Sequence, residues 1–403
     1  MTPIKHSFPS LGLSIAKDKY QYQSMEVITK TLAPRDPAPL FALPNYDGKN
    51  VILRDQAGKP VLLFFYAKNE IAACEQLLLE LRDRLSEFTA LNTLVLAISL
   101  DSPTEHQQFA QQHRITFALL ADHQAKVSQE YGVCYQEIQQ DQPSLIYTRS
   151  FFLLDFNQQI ANIFTQANCQ NQVQAALDHI RNHLAPQPLV HVQMQAPVLL
   201  IPNVFSPEFC RHLINVWETQ GHGDSGFMKR EGNKTVGYID HTFKTREDHF
   251  VKDEGLKANL DYFMKRRVFP QIKKAFEFDV TRREDYKIAS YTSENGGFFR
   301  AHRDNTTGGT AHRKFAMTLN LNTEEYEGGY LRFPEYGPYQ YRPDTGSAVI
   351  FNCSLLHEAT DVIKGRRFVL LCFFYGEAEA EARRQYELAA QNDYSQVVMK
   401  TAS

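Results

Sequence analysis

His302-Arg303-Asp304 sets an imidazole and a carboxylate two residues apart, and His357 follows further along the chain. On a strand, positions two apart share a face. His302 and Asp304 can therefore aim at one point, and a histidine from a neighbouring strand can close the set. Two imidazoles and one carboxylate on one side of a metal make the facial triad that holds Fe(II) and leaves positions open. A 2-oxo acid can chelate two of those positions and O₂ can take the third. His312 is the competing imidazole, but Lys314 stands where its carboxylate would be, so a hydrogen-bonding role is expected of it. His357-Glu358 is no zincin motif, because no second histidine follows at helical spacing.

The surrounding pattern supplies strands to carry these groups. Residues 291–299 read as a strand and turn leading into His302. Residues 314–321 alternate, with Phe315, Met317, Leu319 and Leu321 on one face. Gly328-Gly329 is a turn ahead of a short strand. Residues 347–352 form an apolar strand ending just before His357, and residues 367–375 are apolar on both faces, as inside a sheet. Gly365-Arg366-Arg367-Phe368 opens that last strand. A guanidinium is a planar fork that grips a carboxylate with two hydrogen bonds. Arg366 and Arg367 face opposite sides, and alternation alone does not choose between them. Short strands at close intervals predict a β-sandwich or barrel, in which ligands at strand ends gain rigid support.

From about residue 196 to 376 the chain resembles the prolyl 4-hydroxylase-like branch of the 2-oxoglutarate/Fe(II) dioxygenases. Tyr291, Gly297, Phe299, His302, Asp304, the run from Gly328 to Phe333, Gly346, His357, Gly365 and Arg367 carry the resemblance. It implies a double-stranded β-helix of the jelly-roll or cupin-like kind with supporting helices. It implies Fe(II) on His302, Asp304 and His357, and Arg367, two residues after a glycine, on the far carboxylate of 2-oxoglutarate. Tyr291 and Asn320 are further candidates for that carboxylate. The implied reaction decarboxylates 2-oxoglutarate to succinate and hydroxylates a substrate C–H bond, with ascorbate as reductant.

At 403 residues the chain has room for two or three domains. A hydrophobic content of 43% fits a globular protein with sizeable cores. A net charge of −3 lacks the basic excess of a nucleic-acid binder. No apolar run predicts a membrane span, and the N-terminus lacks the basic-then-apolar pattern of a signal. The six cysteines are widely spaced without a CxxC pair, so free thiols and a reducing cytoplasm are expected.

Residues 1–30 are polar and mixed and read as an extension. Over 31–184 the pattern changes: apolar runs at 60–66, 94–100 and 151–156 alternate with helical periodicity at 71–88 and 169–184. Ser102-Pro103-Thr104-Glu105 is a capping box with proline at the first helical position. Strands alternating with helices predict an α/β layer fold. This segment resembles the peroxiredoxins of the thioredoxin-like fold. Their Pro-x-x-x-Thr-x-x-Cys is here Ala67, Ile71 and Cys74. Cys74 keeps the peroxidatic position, at a helix N-terminus whose dipole lowers a thiol pKa. Arg149 stands where the family places an arginine near the thiolate. Ile71 offers peroxide no hydrogen bond, and Leu79 occupies the position of a resolving cysteine, leaving that role to Cys134 or Cys169. A degenerate pocket and a structural or docking role are expected.

A linker over 185–194 leads to the dioxygenase segment, 195–377. That segment opens with a strand at 198–201 and a helix from Ser206-Pro207. A Gly- and charge-rich loop at 221–248 is expected to order around substrate, ahead of a helix over 253–267. Residues 378–403 predict an exposed helix and a frayed tail. The reading is a two-domain enzyme that hydroxylates a prolyl residue of a protein or a small molecule. One alternative is a bifunctional dioxygenase and thiol peroxidase using Cys74. Another is a metal-binding redox-sensing module without turnover, which would have no need of Arg367.

Overall fold

The computed structural model describes residues 31–139, 142–189, 191, 194–232, 234–391 and 399–401; the extension over 1–30 lies outside the described residues. In the N-terminal half, Val61–Phe65 is buried on both faces, as its unbroken apolar run requires. It forms the middle of a five-stranded sheet in the order Ala118–Ala121, Leu94–Ser99, Val61–Phe65, Ser150–Leu154, Ile160–Thr165. The first three strands are parallel and the last two antiparallel. The helix expected over 71–88 divides at Arg84 into Ala72–Asp83 and Leu85–Ala90. The break lets Phe88 enter the same core as Leu78 and Leu81. The helix Pro103–His113 begins as its capping box dictates: Glu105 N donates to Ser102 Oγ at 3.1 Å and Ser102 N to Glu105 Oε2 at 2.6 Å.

The core of the C-terminal half is built from two antiparallel sheets. The larger runs Leu199–Ile201, Ala348–Asn352, Phe315–Asn320, Val362–Tyr375, Lys287–Thr292, Glu247–Phe250, Gly223–Asp224. The smaller runs Lys244–Thr245, Phe298–His302, His357–Ala359, Leu331–Arg332, Gln340–Tyr341. Phe315, Met317, Leu319, Phe368, Leu370 and Phe374 share a core with the helices Pro207–Thr219, Glu254–Phe263 and Phe269–Phe276. Alternation then turns Ala316, Thr318, Arg367, Leu371 and Phe373 toward the smaller sheet.

Three expectations change here. The segment 221–248 is no loop. It holds the strands Gly223–Asp224, Phe227–Glu231, Lys234–Ile239 and Lys244–Thr245. Gly223–Asp224 and residues 228–231 are solvent-exposed, and Val236, Tyr238 and Ile239 are only partly buried, so no clean apolar alternation announces these strands. The helix expected over 253–267 ends at Phe263 and continues as a π-helical turn, Met264–Val268, into Phe269–Phe276. The tail does not simply fray: Met399–Thr401 pairs in parallel with Gly237–Ile239. Among the described residues, no helix is long and apolar enough to cross a membrane.

The π-helical turn also joins the two halves. Arg266 Nε reaches Asp36 Oδ1 at 2.8 Å and Arg267 Nε reaches the same oxygen at 3.2 Å. Arg267 and Asp36 are both buried, and Arg267 also donates to Val204 O at 2.8 Å. Removing one member of a buried pair strands the other charge, at about 3–5 kcal/mol. Asp36→Ala is therefore expected to lower the unfolding free energy of the full chain by about that much. Denaturant titration checks it, and a loss under about 1 kcal/mol would show that water reaches this contact.

Candidate active site

His302 and His357 pair across two strands of the smaller sheet, and Asp304 follows as the chain leaves the first of them. Asp304 Oδ1 lies 3.5 Å from His302 Nε2 and Oδ2 lies 3.3 Å from His357 Nε2. One donor atom from each residue falls within 4.8 Å of the others. The tautomers are set from behind: His302 Nδ1 donates to Arg300 O at 2.7 Å and His357 Nδ1 to Leu355 O at 3.0 Å. Each Nε2 lone pair is thereby left to face the carboxylate, as a metal-ligating imidazole requires. Phe299 stacks on His302 with centroids 3.5 Å apart and Phe351 packs on His357 at 4.6 Å, fixing both rings. Burial penalises the Asp304 charge, yet the two imidazoles hold its carboxyl well below the usual range. Burial lowers His302; it also works against His357, where the Asp304 charge wins and raises it. This neutral-nitrogen and carboxylate donor set fits Fe(II).

The cluster opens on a cavity of about 570 Å³ between the two sheets. Arg367 lines it from the larger sheet. It is buried, and its Nε has no hydrogen-bond partner among the described residues, an arrangement that costs stability unless a ligand supplies the acceptor. Arg366 lies on the other face, over Trp217 at 5.6 Å. Gly329, at φ 63°, makes the approach to Arg367 possible: a Cβ there would sit 3.1 Å from Arg367 Cδ and 2.8 Å from Val362 Cγ2. Tyr291 pairs with Arg367 in register. Its ring lies between two guanidiniums, 5.1 Å from Arg367 and 5.7 Å from Arg246. Tyr291 Oη accepts from Arg246 Nη1 at 3.3 Å, so its own proton is free to reach a carboxylate beside Arg367.

Asn320 does not join them. It is absent from the cavity lining, and its Nδ2 donates to Pro343 O at 2.9 Å. It sits at the end of its strand. His312 also stays apart from the ligands: it contacts Glu284 Oε1 at 2.9 Å.

Sequence reasoning missed further cations of the cavity, among them Lys244, Arg246, Lys287 and Arg313. Lys244 Nζ donates to Ser225 Oγ at 2.7 Å and Gly226 O at 2.5 Å. Arg246 Nη2 donates to Asp248 Oδ2 at 2.7 Å. A signal existed in the period-two run Lys244, Arg246, Asp248, a spacing that on extended chain puts three charges on one face.

In the N-terminal half, Cys74 lies in the first turn of Ala72–Asp83, and Arg149 Nη1 donates to Ala73 O at 2.7 Å. The expected lowering of the thiol pKa does not occur. Cys74 is 1% exposed, and burial pushes its thiol up, more than the nearby Arg149 charge and the Ala67 and Lys68 amides bring it down.

Residues 34–163 match the model of the AhpC/TSA family, and residues 286–375 match that of the 2OG-Fe(II) oxygenase superfamily. The peroxiredoxin Bcp of Escherichia coli strain K12 is 31% identical over 148 residues, spanning 37% of this chain and 95% of that protein. The chloroplastic peroxiredoxin Q of Gentiana triflora is 38% identical over 95 residues, 24% of this chain and 44% of that protein. A solved peroxiredoxin Q of Xanthomonas campestris is 22% identical, covers 37% of this chain and 98% of its own, and superposes with a TM-score of 0.35.

Proposed function

We propose that this protein, which belongs to the AhpC/TSA peroxiredoxin family through its N-terminal domain and carries a 2OG-Fe(II) oxygenase superfamily domain at its C-terminus, is a 2-oxoglutarate- and Fe(II)-dependent dioxygenase that hydroxylates its substrate. One observation carries the reading. The His302, Asp304 and His357 donors and Arg367, whose buried Nε has no hydrogen-bond partner among the described residues, line the same cavity. A metal-binding module without turnover has no use for that buried, unsatisfied cation. Two antiparallel sheets across a cavity support the double-stranded β-helix, within boundaries near 195 and 377. A cytoplasmic location and a prolyl-hydroxylase-like chemistry belong to the same reading, with ascorbate as reductant.

Fe(II), held by His302, Asp304 and His357, would supply the redox chemistry that couples decarboxylation of 2-oxoglutarate to C–H hydroxylation. The chain's own groups do the positioning. Arg367 grips the far carboxylate of 2-oxoglutarate with its planar fork, and Tyr291 donates its proton to the same group. Arg246 holds Tyr291 and is itself neutralised by Asp248. Phe299 and Phe351 screen the histidines from water. The test is succinate formation from 2-oxoglutarate under air and Fe(II), with and without cell extract. Fe(II)-dependent succinate is expected; none under any condition overturns the reading.

The N-terminal domain serves in this proposal as a degenerate peroxiredoxin with a structural or docking role. The buried, raised thiol of Cys74 supports that, as does Ile71 beside it. Stopped-flow oxidation of the full chain by hydrogen peroxide is expected to give a Cys74 rate within about tenfold of a free thiol. Because the thiol pKa is raised, the thiolate fraction and the rate climb only as pH rises beyond the ordinary thiol range. A fast phase at neutral pH that vanishes in Cys74→Ser would instead establish a bifunctional enzyme.

A further inference from the structure

Lys287 points a second, separate cation at the cavity. It stands four residues before Tyr291 on the same strand and the same face, paired in register with Leu371. It lines the cavity and, among the described residues, its side chain makes no direct hydrogen bond or ion pair, with the carboxylates of Asp248 and Glu284 acting on it from further off. Its ammonium rests between two aromatic faces, 5.5 Å from the Phe373 centroid and 5.6 Å from that of Phe250. Arg313 lies over the Phe373 ring at 3.9 Å. Arg313 is held by Glu284, with Nε to Oε1 at 2.6 Å and Nη2 to Oε2 at 2.9 Å, and His312 contacts the same carboxylate at 2.9 Å, so the direct contacts of Glu284 go to these two residues. The second cavity of the domain, which opens toward solvent, shares Lys287 and Arg313 with the first. This pair therefore stands where the two cavities meet, while Arg367 lies opposite Tyr291, four residues along the neighbouring strand from Leu371, the partner of Lys287.

The surroundings carry the same sign. Eight basic side chains line the main cavity against two carboxylates, and one of those carboxylates, Asp304, belongs to the metal cluster. A single 2-oxoglutarate engages Arg367 with its far carboxylate and leaves Lys287 unmatched. A half-buried ammonium without a direct hydrogen bond is costly, and burial lowers its pKa by more than the charges of Asp248 and Glu284 raise it. Polypeptide backbone offers it only neutral carbonyls, whereas a small organic oxyanion offers a full charge that its three donors can meet.

Resting on the dioxygenase reading, we infer that Lys287, with Arg313 beside it, forms a second oxyanion subsite that receives the carboxylate or other oxyanion of a small-molecule substrate. The substrate class is then a free small acid in preference to a prolyl residue within a protein. Phe373 and Phe250 supply the apolar walls that seat the carbon skeleton next to that anion.

The test uses the full-length protein loaded with Mn(II), a redox-quiet stand-in, and saturated with 2-oxoglutarate so that Arg367 is occupied. Sulfate is the probe, and the melting temperature is read against its concentration, since a ligand that binds only the folded state raises it. Wild type is expected to show a saturable rise above the linear response to sulfate as a salt. Lys287→Met is expected to weaken that saturable part at least about tenfold, and Lys287→Arg to retain it. A baseline melting temperature in Lys287→Met that equals or exceeds wild type is also expected, because an unpaired buried charge has been replaced by an apolar chain. No saturable rise in wild type, or an unchanged rise in Lys287→Met, would overturn the subsite. So would a lost response to 2-oxoglutarate itself in Lys287→Met, which would make Lys287 part of the co-substrate site. Failure of the dioxygenase reading looks different: 2-oxoglutarate with Mn(II) would then give no saturable rise even in wild type.

Discussion

Asp304→Ala is expected to abolish 2-oxoglutarate turnover and most Fe(II) affinity. Asp304 is the centre of the cluster, since both imidazoles face it, at 3.5 and 3.3 Å. It is also the only anionic donor of the three, so the variant leaves two neutral nitrogens to hold a divalent cation. Losing an outer-shell partner of a metal site typically costs about 10–100-fold in affinity, and a direct ligand is expected to cost more. His302→Ala should behave alike. His312→Ala is the control: its ring contacts Glu284 at 2.9 Å and none of the ligands, so iron affinity should persist. Arg313 would still hold Glu284 in that variant. Metal titration followed by calorimetry, together with succinate release, reads both properties. Full turnover in His302→Ala at saturating iron, or loss of iron in a folded His312→Ala, would mean that the ligand set is wrongly assigned.

Arg367→Met should leave iron binding near wild type and sharply raise the 2-oxoglutarate concentration needed for half-maximal succinate release. A charge-assisted pair whose partner charge stays buried is worth about 2–5 kcal/mol, or roughly 30-fold and upward in concentration. Methionine keeps the apolar stem that packs near Gly329 and Val362 while removing the fork. Arg366→Met should change the requirement far less, because Arg366 lies over Trp217 on the helix-covered face. The reverse ranking would move the co-substrate to the other side of the sheet. An equal loss in both variants would indicate damage to the strand Val362–Tyr375 itself.

Much of this site is local, and what is local is legible in sequence. The two-residue offset of His302 and Asp304 fixes a shared aim whatever the rest of the chain does. The opposite facing of Arg366 and Arg367 follows from the same parity, and the start of Pro103–His113 from four consecutive residues. The apolar run Val61–Phe65 announces a strand covered on both sides. The strands within 221–248 are silent for the converse reason: exposed polar residues at 228–231 and partly buried Val236, Tyr238 and Ile239 leave their hydrophobicity without a clean period.

Tertiary structure decided the rest, because it depends on which distant groups share a space. Which of two oppositely facing arginines meets the cavity depends on which face the helices cover, and that is set by packing across the whole sheet. Asn320 lies on the cavity-facing parity, yet a backbone carbonyl contributed by Pro343 claims its amide. Cys74 sits at a helix N-terminus as its spacing predicts, but desolvation by the surrounding core outweighs the charges that favour its thiolate. Lys287 shows the same dependence most plainly. A lysine in a strand is ordinary in sequence, and only the closing of two sheets leaves it beside a cavity with no partner, because burial and pairing are properties of the assembled fold and not of the residue.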